Sequence, residues 1–181
     1  MVSKSEFLEA RDKTKKLFEQ AGIILTKEEQ ENIEVADFGL DELEIQGLEL
    51  LTYINNEFYC AKELVLFPNQ TCPEHKHPPI GELNGKTETF RCRVGKVYLY
   101  VEGEPTKHLK AIIPEESKAY YTVFHEIELN PGEQYTIPPN TLHWFQSSEE
   151  GAIVSEFSTT SRDEYDIFTD PRIKRIPEIK G

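Results

Sequence analysis

From about residue 43 to residue 157 the chain is a succession of short β-prone runs with no helical periodicity between them. The runs are 48–54, 57–67, 87–93, 96–102, 120–129, 134–137, 143–146 and 152–157. Turn residues cut them apart: Pro73, Pro78-Pro79, Gly95, Gly103, Pro131-Gly132 and Pro138-Pro139-Asn140. Asn55-Asn56 reads as a tight turn in which asparagine tolerates positive φ. Strands this short, this numerous and this evenly spaced close on themselves as a sandwich or a barrel, so the fold class is all-β.

The ends read differently. Phe7, Arg11, Thr14, Leu17, Phe18 and Ala21 recur at helical intervals, and Gly22 suits a left-handed stop. Thr26-Lys27-Glu28-Glu29 has the pattern of a capping box, so a second short helix starts there. Residues 160–181 lose periodicity. The expected organisation is a helical extension over 1–40, a barrel over 41–160 and a C-terminal segment over 161–181 near the barrel mouth.

A formal charge of −13 repels nucleic acid and anionic membrane alike, which excludes both as expected partners. No stretch supplies the roughly 18 apolar residues needed to cross a bilayer. The segment MVSKSEFLEARDK lacks the apolar core of a signal peptide, and the three cysteines have no metal-knuckle spacing. Reduced thiols and a cytoplasmic location are the expectation.

Histidines supply the chemistry. On an extended segment His75 and His77 point to one face and can grip one ion together. Glu88, Phe90 and Cys92 share a face of the next strand pattern, and His143 shares one with Phe145. Three imidazoles and a carboxylate suit a divalent first-row metal with positions left open for substrate. His108 and His125 read as ordinary strand or surface histidines.

His75-x-His77, then Glu88 and Gly95, resembles the first motif of the cupins. Gly132, Pro138, Asn140 and His143 resemble the second. Ten residues separate His77 from Glu88, more than the family's spacing, and Asn140 replaces a glycine. Glu82 is the competing acid. Glu88 is preferred for its distance to Gly95 and because Glu82 lies among Gly, Pro and Asn. The resemblance implies a cupin-type jelly-roll barrel with N-terminal helices.

Two further residues stand out by pattern. Phe58, Cys60, Lys62, Leu64 and Leu66 alternate on one face, but the opposite face is nearly as apolar, so either can turn inward. Were it the first, Lys62 would be a buried ammonium, costly unless paired and therefore functional in character. Glu156 shares its face with Ala152 and Val154. Asp166 by itself reads as a loop acid.

A closer resemblance runs from about residue 21 to residue 173. Residues 60–79 (CAKELVLFPNQTCPEHKHPP), 88–103 (ETFRCRVGKVYLYVEG), 135–146 (YTIPPNTLHWFQ) and 166–172 (DIFTDPR) are similar to the small D-lyxose ketol-isomerases of the cupin superfamily. That resemblance implies a homodimeric, Mn²⁺-dependent aldose–ketose isomerase for unphosphorylated D-lyxose and D-xylulose, and also D-mannose and D-fructose. It implies His75, His77, Glu88 and His143 as metal ligands and Lys62, Glu156 and Asp166 as catalytic residues. A cupin oxygenase and a non-catalytic sugar-binding cupin are the alternatives the metal set alone leaves open.

Overall fold

The computed structural model describes residues 2–176 and 179–180. Helix α1, Lys4–Gln20, starts a turn earlier than the apolar periodicity because Ser3 and Glu6 form a capping box. Helix α2, Lys27–Glu31, begins at Thr26 with the expected box.

Nine strands follow among the described residues: β1 Glu34–Ala36, β2 Leu48–Asn55, β3 Cys60–Leu66, β4 Thr71–Lys76, β5 Glu88–Val101, β6 His125–Leu129, β7 Gln134–Ile137, β8 His143–Ser158 and β9 Ile167–Phe168. All the ladders between them are antiparallel. Strands β5 and β8 pair from Glu88↔Ser158 to Val101↔His143. Their other edges are shared. On β8, β3 takes the end and β4 the beginning. On β5, β7 takes the beginning and β6 the end. The result is two half-sheets, β1-β2-β3-β8-β5-β7 and β9-β4-β8-β5-β6, joined through the same two long strands. Phe90, Cys92 and Val154 of one half pack with Leu99, Val101 and Phe145 of the other in one apolar cluster. The mostly-β, curled sheet expected from the sequence is therefore present.

Two breaks expected in the sequence are bends instead. Residues 87–93 and 96–102 are one strand, and so are 143–146 and 152–157. Register shifts at Cys92/Val94 and Gly95/Val97 absorb the turn signal at Gly95 without ending the ladder. At Gly95, φ is +70°, and an added Cβ would stand 2.0 Å from the Gly151 carbonyl oxygen. Only glycine lets the backbones meet this closely.

Three other expectations change. Positive φ occurs at neither Asn55 nor Asn56. The Asn56 side chain instead accepts from the Phe58 and Tyr59 N–H groups and makes the turn itself. The run 120–129 becomes a strand only at His125, because the Glu74 carboxylate takes the N–H groups of Thr122 and Val123 away from any ladder. Strand β1 lies within 1–40, so the sheet starts before residue 41.

Helix α1 covers the outside of β1-β2-β3. Ala10 and Phe18 pack on Val35, Leu51, Val65 and Phe67. Strand β3 is thus buried on both faces, which is why its alternation could not choose one. Lys62, Leu64 and Leu66 face the barrel interior with the apolar core, whereas Val65 faces the helix. Phe58 is 75% exposed and outside the pattern. Cys60, Cys72 and Cys92 are buried free thiols.

Under α1 lies one buried acid with a marked cost. Glu49 is paired across the sheet with Val35 and Val65. One carboxylate oxygen accepts from Gln70 at 3.3 Å and the other has no hydrogen-bond partner among the described residues. Burial pushes its pKa up to about 8. Between its ordinary value near 4.5 and about 8, the folded chain keeps a proton that the unfolded chain has released, so stability falls as pH rises. Glu49→Gln is expected to remove that dependence. Urea midpoints at pH 5 and pH 8 should show the parent chain losing on the order of 3 kcal/mol that the variant retains.

Candidate metal centre and active site

The antiparallel register of β4 and β8 sets His75 opposite His143, and their rings lie 4.2 Å apart. His77 follows two residues on, with its ring 5.0 Å from that of His75. All three are buried, and their candidate ligand nitrogens lie within 4.8 Å of one another. Glu88, at the head of β5, places Oε1 2.9 Å from His143 Nε2 and 3.2 Å from His77 Nε2.

The backs of the rings are held. His75 Nδ1 stands 2.8 Å from the Pro73 carbonyl oxygen, and His143 Nδ1 stands 2.9 Å from that of Thr141. His77 Nδ1 stands 2.5 Å from Asp166 Oδ1. For His75 and His143 the carbonyl acceptor fixes a proton on Nδ1 and leaves the Nε2 lone pair facing the shared centre. His77 Nε2 faces Glu88 Oε1 and offers its lone pair once its second proton leaves. At the centre His143 Nε2 is buried, faces a carboxylate oxygen and has no hydrogen-bond partner among the described residues. Lone pairs converging on one buried point repel unless a positive charge lies among them. The donor set fits a divalent cation on that ground, and the three histidines could hold one.

Electrostatics agree. Burial disfavours charge on Glu88, but Lys86 and His77 outweigh it and hold the carboxyl well below its usual range. Burial opposes a proton on His77 as well, yet Glu88 and Asp166 bring its pKa up to about 9. His75 is driven well below its ordinary value, by burial first and by the neighbouring histidines second. A bound cation would compete with the proton on His77.

The sequence residues are distributed as follows. His75, His77, Glu88 and His143 come together. Glu82 is exposed in the loop. His108 and His125 stand outside the cluster. Glu156 is buried on β8, next to Phe90 of β5 and Lys62 of β3 in the two ladders. The ammonium that touches it belongs to Lys86, whose Nζ lies 2.6 Å from Glu156 Oε1 and 2.7 Å from Glu88 Oε2. Lys62 is buried inside the barrel, but its ammonium donates to Ser161 and Asp163. Asp166 is not a solvated acid; its side chain is buried against His77.

Lys86 is the residue the sequence reading missed. Counting the alternation of Glu88 and Phe90 back by two would have found it, but it lies in a stretch rich in turn residues. Gly85 makes its position possible. An added Cβ there would fall 2.0 Å from the His77 carbonyl oxygen, so the loop lies directly on the histidine segment. Burial works against the charge of Lys86, but Glu156 and Glu88 raise its pKa well above the ordinary value.

Beside this centre opens a cavity of about 370 Å³, lined by His77, Lys86, Asp166, Thr159, Arg162 and Tyr165 among others. Its size is that of a small-molecule site.

The sequence profile of the D-lyxose isomerase family matches residues 19–181. The chain belongs to that family. A D-lyxose ketol-isomerase of Cohnella laeviribosi is 66% identical over 176 residues, covering 97% of each chain. A D-lyxose/D-mannose isomerase of Thermosediminibacter oceani is 67% identical over 180 residues, covering 99% of each. The fold is similar to that of an L-ribose isomerase of Acinetobacter sp. DL28, with a TM-score of 0.80 at 14% identity, covering 99% of this chain and 98% of that one.

Asp166→Ala frees the His77 ring and removes the acceptor that fixes its proton. Loss of such a partner weakens metal binding by about 10- to 100-fold. Titration of the variant with Co²⁺, read by its visible absorption, is expected to show a loss of that size with the barrel's circular dichroism unchanged.

Proposed function

We propose that the chain is a metal-dependent aldose–ketose isomerase that interconverts D-lyxose with D-xylulose and D-mannose with D-fructose by proton transfer. Family membership supports the reaction class. One observation supports the mechanism: Glu156 and Glu88 flank the Lys86 ammonium at 2.6 and 2.7 Å, directly against the histidine cluster.

In this reading His75, His77, Glu88 and His143 hold the metal. When bound, the ion supplies a Lewis acid that polarises the sugar carbonyl and favours charge on its oxygens. Mn²⁺ is the proposed ion and a homodimer the proposed assembly, both on the sequence resemblance; the proposed cytoplasmic location rests on the cysteine pattern and the N-terminal sequence.

Turning a 2-hydroxy aldehyde into a 1-hydroxy ketone takes the hydrogen from C2, places one on C1 and moves a hydroxyl proton from O2 to O1. Glu156 is a carboxylate held in a water-poor wall, and it takes the C2 proton and returns it to C1. Lys86 keeps that carboxylate in place and offers its remaining N–H to the sugar oxygen on which charge grows. The cavity beyond His77 and Lys86 accommodates the rest of the open-chain sugar.

Glu156→Gln keeps the shape of the wall and loses the base. It is expected to lower kcat by about 10²- to 10⁴-fold while sugar KM and metal content stay near those of the parent. Turnover of D-lyxose by the parent chain in deuterated water should put deuterium on the transferred carbon. Complete retention of the original hydrogen would replace proton transfer by a hydride shift.

A further inference from the structure

The segment from Ser161 to Arg175 reaches two of the histidines from behind. Asp166 holds His77 at 2.5 Å, and the Phe168 ring stacks on His75 with centroids 5.2 Å apart. Together with Asp163 and Arg175, these residues close one side of the barrel interior. The strand that carries the segment, β9, is two residues long and, among the described residues, pairs only with β4. A ladder of that length holds little by itself.

A chain of charges ties the segment down. Lys62 Nζ on β3 lies 2.8 Å from Asp163 Oδ2 and donates to Ser161 Oγ at 3.0 Å. Arg175 donates to the same Asp163 oxygen at 2.8 Å and to Glu34 on β1 at 2.5 Å. The Lys62 side chain is 5% exposed and that of Arg175 is 14% exposed. Burial of this kind makes each charge depend on its partner. Asp163 reflects it: burial opposes its charge, but Lys62 and Arg175 hold the carboxyl far below the usual range. Asn55, bonded to the Ser161 backbone, and the Lys174 N–H, bonded to the Phe38 carbonyl, fix the two ends of the segment.

We infer that Glu34, Arg175, Asp163 and Lys62 form a clasp that shuts the C-terminal segment onto the barrel and so positions Asp166 behind His77. Lys62, an active-site residue by family resemblance, is then a positioning residue, and the ammonium that meets the sugar is that of Lys86. The effect on the metal rests on the metal reading of the histidine cluster; the effect on the segment does not.

The test uses the full chain with Lys62→Met, Arg175→Gln and Lys62→Arg. Arg175→Gln, at the outer end of the clasp, serves if Lys62→Met does not fold. In metal-free protein, both charge-removing variants are expected to raise amide hydrogen exchange within 161–170 tenfold or more, with the β5–β8 ladder unchanged. Both are expected to weaken Co²⁺ binding about 10- to 100-fold, as Asp166→Ala does, with less than a tenfold fall in kcat at saturating metal. Lys62→Arg is expected to restore both properties. Parent-like exchange and Co²⁺ affinity in Lys62→Met, with kcat down more than 100-fold at full loading, would overturn the clasp and put Lys62 on the substrate. A parent chain that took up no Co²⁺ would overturn the metal reading, and the exchange data would then decide the clasp alone.

Discussion

The ladder between β5 and β8 decides where everything else in this molecule can be. It runs the full length of both strands, from Glu88↔Ser158 to Val101↔His143. Because both strands bend, each edge serves two neighbours, one in each half-sheet. His143 stands at one end of β8 and Glu156 near the other, thirteen residues away in sequence. The ladder itself sets Glu156, opposite Phe90, beside Glu88; bending brings His143 back from the far end, and β4 then adds His75 opposite His143. A flat sheet would keep the histidines apart from the two carboxylates. Gly95, set against Gly151 where no side chain fits, makes the bend possible.

The site so assembled concentrates charge in a water-poor place. Glu88, Glu156 and Asp166 meet His77 and Lys86, while Asp163 meets Lys62 and Arg175. Removing one partner from such a buried pair costs about 3–5 kcal/mol, because the other charge is left alone. The arrangement is therefore poor as a source of stability and well suited to holding groups still. Two lysines divide the work in this account. Lys86 bridges the carboxylate at the metal and the carboxylate that handles the proton; Lys62 fastens the segment that stands behind the histidines. Glu49, under α1, is a third kind of buried acid: among the described residues it has no cation within ion-pairing distance, and its carboxyl is pushed toward the neutral form.

Much of this was legible in the sequence, for physical reasons. Histidines two apart on an extended segment must share a face, so His75 and His77 announced themselves, and the spacing from Glu88 to Gly95 separated Glu88 from Glu82. The capping boxes at Ser3 and Thr26 are local, and the one at Thr26 is legible in the four residues that form it. What failed was non-local. Gly95 looked like the end of a strand because a bulge and a turn use the same residue. Both faces of β3 are buried, so alternation could not orient Lys62. Lys86 was hidden because its loop is full of turn residues, and only the tertiary approach of Gly85 to His77 makes that loop part of the wall. Asp163 and Arg175 lie in a tail without periodicity, where charge reads as solvation until a partner is seen.

The central claim is that the three histidines and Glu88 bind a metal on which sugar isomerisation depends. The most direct measurement is D-lyxose isomerisation by protein stripped with a chelator and then titrated with Mn²⁺. No turnover is expected in the stripped protein and full recovery at one ion per chain, with recovery abolished in His143→Ala. Isomerisation that continued undiminished in metal-free protein would contradict it.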